Sequence, residues 1–98
     1  MRRNQFTVNA ESVQGNAGAS VTFNKLLVGE YDEWFDPTSG ATDLSVLRSH
    51  LVSWEGFEDD NGNALPNPPD VGRLYLPETR ALCRLLIQGP SELSGKNL

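Results

Sequence analysis

Residues 5–24 read QFTVNAESVQGNAGASVTFN and have the pattern of two strands joined by a loop. Apolar and polar residues alternate in the first part, over 5–13, and again over 19–24, which is the period of a strand with one buried face. The intervening QGNAG is small and polar and contains two glycines, as hairpin connections do. The sequence therefore predicts a β-hairpin. Because one hairpin is not stable alone, its apolar side chains need further elements to pack on; these side chains are Phe6, Val8, Val21 and Phe23.

Three later segments have the spacing of short helices. Residues 25–35 place apolar side chains three and four positions apart. Residues 43–54 follow Thr42, a good N-cap, and carry a single apolar stripe. Residues 77–88 start with a proline and stop at Gly89, which suits a helix C-terminus. The stripe of the second helix consists of Leu44, Leu47, Leu51 and Trp54.

A long polar loop over 55–72 separates the second and third helices. Asp60-Asn61-Gly62 is a strong turn signal, and the prolines that follow it exclude regular secondary structure. Residues 91–98, SELSGKNL, have too little apolar content to fold and predict a flexible tail. The fold class is thus α+β, with an N-terminal β-hairpin followed by a cluster of about three short helices in one domain over residues 1–90.

The composition limits the function classes that fit the chain. Its 98 residues carry 8 basic and 13 acidic side chains, for a net charge of −5, so the basic surface that nucleic-acid binding needs is missing. The basic pair Arg2-Arg3 is expected to be a solvated terminus. No apolar run approaches the roughly 20 residues of a membrane span, and the N-terminus does not have the pattern of a signal peptide. One cysteine fits a reducing compartment.

Candidate chemistry is sparse. His50 and Cys83 could form a nucleophile and base pair, but a cysteine among leucines in a helix usually behaves as a small apolar residue. The acidic turn at 58–63 resembles a calcium loop, yet Phe57 and Pro68 stand where such a loop needs carboxylates. We therefore predict no catalytic, cofactor-binding or metal-binding residues, and a protein that is not an enzyme.

Aromatic residues accumulate in and beside the helical segments. They could form the core of the helix cluster, or some of them could line an exposed groove for a partner helix. Because aliphatic residues are few, we expect Trp54 to be buried. The residues concerned are Tyr31, Trp34, Phe35, Trp54, Phe57 and Tyr75.

The order of these elements resembles a known family. After the hairpin come Val28-Gly29-Glu30-Tyr31 at the start of a helix, Leu51-Val52-Ser53-Trp54 at the end of the next, the turn Asp59-Asp60-Asn61-Gly62, a Leu65-Pro66 step, and Leu76-Pro77 before the last helix. Over about residues 20–89 this arrangement resembles the tail assembly chaperones of long-tailed bacteriophages.

The resemblance implies a partner and a site. Such chaperones bind the tape-measure protein, a long apolar helical chain, and keep it soluble in the host cytoplasm until the tail tube forms around it. No cofactor is implied, and we expect a homo-oligomer that binds this or another phage tail protein. Family members often have a second, longer form made by ribosomal frameshifting, with which Gly95-Lys96-Asn97 is compatible. The expected partner-binding residues are Val28, Tyr31, Trp34, Phe35, Leu82 and Leu86.

A second interpretation stays open. The protein could instead be a structural component of the phage, such as a tail or head–tail connector subunit, that persists in the virion. In that case the hairpin or the loop over 55–72 would contribute to a repeated interface, and the tail could order on assembly.

Overall fold

The computed structural model describes residues 4–90, which form three strands and four helices. The strands make one antiparallel sheet in the order β1-β2-β3. The predicted α+β class is confirmed, with an N-terminal hairpin followed by helices. The predicted tail over 91–98 lies outside the described residues. In chain order the elements are β1 (Gln5–Asn9), α1 (Glu11–Gln14), β2 (Ser20–Asn24), α2 (Val28–Trp34), α3 (Asp43–His50), β3 (Leu51–Glu55) and α4 (Leu76–Gln88), with a 3-10 turn at Val71–Arg73.

The hairpin pairs β1 with β2 so that the predicted apolar faces of the two strands lie on the same side of the sheet. Phe6 lies opposite Phe23, with ring centroids 5.5 Å apart, and Val8 lies opposite Val21. These side chains face the core, while the polar residues between them form the outer face of the sheet. Cross-strand aromatic pairs of this kind contribute about 0.5–1.5 kcal/mol beyond the area that they bury.

The prediction of a strand over the whole of 5–13 is wrong in its second half. Asn9 ends β1, and its side-chain Oδ1 accepts a hydrogen bond of 2.8 Å from the amide of Glu11. This bond satisfies one of the free amides at the start of α1. The hairpin still closes, because the amide of Ala10 donates to the carbonyl of Ala19 across 2.8 Å.

The prediction of a helix over 43–54 is wrong after His50. The chain leaves α3 there and continues directly as β3, in which Ser53 pairs with Thr22 and Trp54 with Val21. In this position Trp54 faces the core of the sheet and is 1% exposed, so the prediction of its burial is confirmed. The third strand gives the hairpin the additional packing that it needs.

The outer edge of β3 is paired by a side chain from the following loop. The amide of Trp54 donates to Asn67 Oδ1 over 3.2 Å, and Asn67 Nδ2 donates to the carbonyl of Trp54 over 2.9 Å. The indole Nε1 of the same tryptophan donates to the carbonyl of Pro66 over 3.1 Å. The loop that follows β3 is therefore attached to the sheet at three points. Phe57, at the start of this loop, stacks on Trp54 with centroids 4.8 Å apart.

Helix α4 packs along the other helices and supplies much of the core. Its apolar face buries Ala81, Leu82, Cys83 and Leu86 against α1 and α3. Its first turn is capped by Glu78, whose Oε1 accepts from the amide of Tyr75 over 2.9 Å. Among the helices in residues 4–90, none is long and apolar enough to cross a membrane.

Candidate functional site

The exposed apolar side chains concentrate around the start of α2. Val28, the first residue of α2, is 80% exposed. Leu27 before it, Tyr31 one turn later and Phe35 at the C-cap are exposed as well. Large apolar side chains grouped on a surface typically mark an interaction site, whereas single exposed ones do not.

Leu27, Val28 and Tyr31 border a groove of about 360 Å³. One wall is the segment from Lys25 to Val28 together with Tyr31, and the other is the end of α4 from Leu86 to Pro90, with Phe6 of β1 between them. We call this feature the apolar groove. Most of its lining is apolar, and Lys25 is its one basic lining residue within the part of the chain that the structure describes.

The local structure of α2 explains why Val28 is held outward. Glu30 Oε1 accepts a hydrogen bond of 2.8 Å from the amide of Leu27, which fixes the first turn. At the other end Trp34 is 5% exposed, and its Nε1 donates to Asp43 Oδ1 over 2.9 Å. Because Trp34 anchors one side of the helix to α3, the stripe formed by Val28, Tyr31 and Phe35 lies on another side.

The structure divides the six residues predicted to bind a partner into two groups. Val28, Tyr31 and Phe35 are exposed, and Tyr31 packs on Phe35 with ring centroids 4.9 Å apart. Trp34 and Leu82 are buried core residues, and Leu86 is buried at 2% exposure beneath the groove that it helps to line. Val28, Tyr31 and Leu86 therefore line the groove itself. Phe35 lies beside the groove, where it packs on Tyr31.

Two exposed residues of this region were not predicted from the sequence. Leu27 lies just before α2, and Ile87 lies in the last turn of α4, where about half of its side chain is in solvent. The sequence contains a signal for the exposure of Leu27, because Leu26, Leu27 and Val28 are three consecutive apolar residues at a helix start. A short helix with one buried face does not need all three of these side chains to pack on the core.

His50 and Cys83 do not form a catalytic pair. The Nδ1 of His50 bonds to the carbonyl of Asn24 over 3.0 Å, and its Nε2 lies 3.4 Å from Glu30 Oε2. Cys83 is buried, and this burial, with a smaller effect from the charge of Asp43, raises the pKa of the thiol to about 11. A nucleophilic cysteine needs a lowered pKa, so this thiol has the properties of a core residue.

The acidic turn lines a second, polar hollow of about 460 Å³. Asp59 Oδ1 accepts from the amides of Asn61 and Asn63 at 2.9 and 3.0 Å, and the backbone bond from Asn63 is the main reason that the pKa of Asp59 is lowered. The hydroxyl of Tyr75 donates to Asp60, which raises the pKa of the tyrosine. Within residues 4–90 no group of three or more His, Cys, Asp or Glu side chains could hold a metal ion.

Comparison with known proteins adds no relative. No protein-family model matches the chain, and no curated protein or solved structure matches it either.

Proposed function

We propose that this protein is a non-enzymatic tail assembly chaperone that binds the tape-measure protein of a long-tailed phage and keeps it soluble. The observation that carries the proposal is the apolar groove, with Val28 and Leu27 left in solvent beside it. The family comes from the sequence resemblance over about residues 20–89, in which Leu51-Val52-Ser53-Trp54 lies in β3 and not at the end of a helix. The expected place of action is the cytoplasm of the bacterial host, and no cofactor is needed.

The shape of the groove suits an amphipathic helix. Its α2 wall has Val28 and Tyr31 three residues apart, and Phe35, four residues further on, continues their stripe beside the groove. A partner helix recognised in this way inserts residues spaced at i, i+3, i+4 and i+7. A long tape-measure helix would offer such a stripe and would aggregate in water if the stripe stayed uncovered.

The charge of the protein supports the same role. Helix α2 has Glu30, Asp32 and Glu33 and no basic residue, and the whole chain has a net charge of −5. A bound chaperone would thus replace apolar surface with negative charge, and net charge of one sign keeps complexes apart in solution.

Replacement of Val28 with aspartate tests the groove. When the tagged protein is co-expressed with the tape-measure-like protein of the same genome, we expect the unchanged chain to keep that protein soluble and to co-purify with it. Val28→Asp should reduce the co-purified amount at least tenfold, because it removes an apolar contact worth roughly 1.5–3 kcal/mol and places a charge in its position.

Leu76→Asp is the matched control. Leu76 is also the first residue of its helix and is 61% exposed, but it lies about 18 Å along α4 from the groove end, at 1.5 Å per residue. The control should co-purify as the unchanged chain does. Equal losses with both variants, or an insoluble partner with the unchanged chain, would remove the chaperone proposal.

The structural alternative predicts a different distribution of the protein. A tail or connector subunit would persist in purified particles, whereas a chaperone would be found only in assembly intermediates. Its supporting observation is the outer edge of β1, with which no strand within residues 4–90 pairs, since repeated interfaces often use such edges. Detection of the chain in finished virions by mass spectrometry, at a stoichiometric ratio to the tail-tube protein, would favour this alternative.

A further inference from the structure

At alternate residues, the outer edge of β1 has main-chain groups that no strand of the described residues 4–90 pairs. Bonds from the amide of Lys25 to the carbonyl of Asn4 and from the amide of Ala10 to the carbonyl of Ala19 lie at the two ends of the β1-β2 ladder. Antiparallel ladders alternate, so the even-numbered residues of β1 bond inward to β2. The amides and carbonyls of Gln5, Thr7 and Asn9 consequently point away from the sheet, and no strand within residues 4–90 pairs with them.

The two edges of the sheet differ in how they are protected against pairing with further strands. At β3 the main chain of Trp54 is paired by the side chain of Asn67, which blocks further strands. At β1 the sequence QFTVN has no proline, no lysine and no charge, and its register with β2 shows no bulge. Natural sheets protect exposed edges with those same devices, so an edge that lacks them within residues 4–90, in a sheet whose other edge is protected, is suited to pairing with a further strand.

We propose that β1 pairs antiparallel with β1 of a second copy of this chain, about a two-fold axis at Thr7. In this register Thr7 lies opposite the same residue of the other copy, and Gln5 lies opposite Asn9. These are the residues whose main-chain groups point outward, so each of these pairs would exchange two hydrogen bonds. The two sheets become one sheet of six strands.

The side chains of β1 are compatible with this symmetric contact on both faces. On the core face, Phe6 of one copy would adjoin Val8 of the other, and Val8 is only half-buried in the single chain. On the outer face the contact would join Gln, Thr and Asn side chains without any charge. Apolar burial and neutral polar pairs both stabilise cross-strand neighbours.

The absence of charge within β1 lets two copies of the chain meet there. Two chains of net charge −5 repel each other, and the uncharged β1 is the place where they can approach at the least cost.

A charge-exchange experiment tests the register. Sedimentation velocity of the protein alone, without any tape-measure protein, should show a dimer. Thr7→Lys and Thr7→Glu should each weaken the dimer at least tenfold, because the two-fold axis places equal charges about 5.5 Å apart between Cα atoms. Mixing the two variants should restore a dimer that contains one chain of each.

Thr22→Lys is the control. Thr22 pairs with Thr7, and the two hydroxyl oxygens are 2.7 Å apart, so this variant loses the same hydrogen bond and gains the same charge one strand away from the contact. It should dimerise as the unchanged chain does, and circular dichroism checks the fold of all variants. A monomeric unchanged chain, or a mixture of the Lys and Glu variants that stays monomeric, would overturn the proposal. Neither result affects binding at the apolar groove.

Discussion

Replacing Trp54 with alanine is expected to lower the free energy of unfolding by about 3–5 kcal/mol, the range for deleting a large buried aromatic side chain. The indole is 1% exposed, stacks on Phe57 with an interplanar angle of 12°, and bonds to the carbonyl of Pro66. It therefore holds β3 and the long loop together. Because small domains are stable by only about 5–15 kcal/mol, the variant should be largely unfolded well below the melting temperature of the unchanged chain.

The variant Trp54→Phe separates packing from hydrogen bonding at this position. Phenylalanine keeps an aromatic ring against Phe57 but cannot donate to Pro66, so it should lose clearly less stability than alanine. Urea unfolding followed by circular dichroism measures both values. Equal losses for the two variants would contradict the assignment of Trp54 as a packing centre.

Replacing Gly56 with alanine is expected to have the second largest effect. Gly56 follows β3 with φ of +73°, and a Cβ atom there would lie 2.9 Å from the carbonyl oxygen of Gly18 and 3.0 Å from Ala19 Cα. Both neighbours are main-chain atoms directly before β2, so they cannot move without disturbing the sheet. We expect a loss of about 3 kcal/mol, of which about 1–2 comes from the left-handed backbone and the rest from overpacking.

Gly62→Ala supplies the comparison that isolates the close approach. Gly62 has nearly the same backbone angle, φ of +80°, but no heavy atom lies within 4 Å of the position of its Cβ. Gly62→Ala should lower the free energy of unfolding by only about 1–2 kcal/mol, the cost of the left-handed conformation. If both alanine variants proved equally stable in urea unfolding, the contact between Gly56 and the start of β2 would not have the proposed cost.

The hairpin and the last helix were predictable because their signals are local. Alternation over β1 and β2 indicates strands of one register, and Pro77 and Gly89 mark a helix close to the observed Leu76–Gln88. Hydrophobic periodicity and the proline and glycine at helix ends are signals that act within a few residues, so no tertiary information was needed.

The third strand was not predictable in the same way. Leu51 and Trp54 are three residues apart, and this spacing continues the stripe of α3, while no glycine or proline separates helix from strand. Pairing with β2 decides between the two conformations, since it buries Trp54 against the sheet. Strand formation depends on such tertiary neighbours more than helix formation does.

The candidate site was predicted in part for a related reason. Helical spacing showed that α2 has apolar residues, but it could not show that Trp34 would anchor to Asp43 and leave Val28 and Tyr31 outside. In α4 the predicted Leu82 is core. An apolar stripe in the sequence shows which residues share one face of a helix. Whether that face is exposed depends on the other elements that pack on the helix.

Site-specific photo-cross-linking tests most directly whether the groove holds the tape-measure protein. A benzophenone amino acid at position 28 reports on the groove, and the same group at position 76 reports on an exposed helix start about 18 Å from the groove end of α4, at 1.5 Å per residue. In cells that assemble tails, position 28 should cross-link to the tape-measure protein and position 76 should not. Cross-links of equal yield from both positions, or none from position 28, would contradict groove binding.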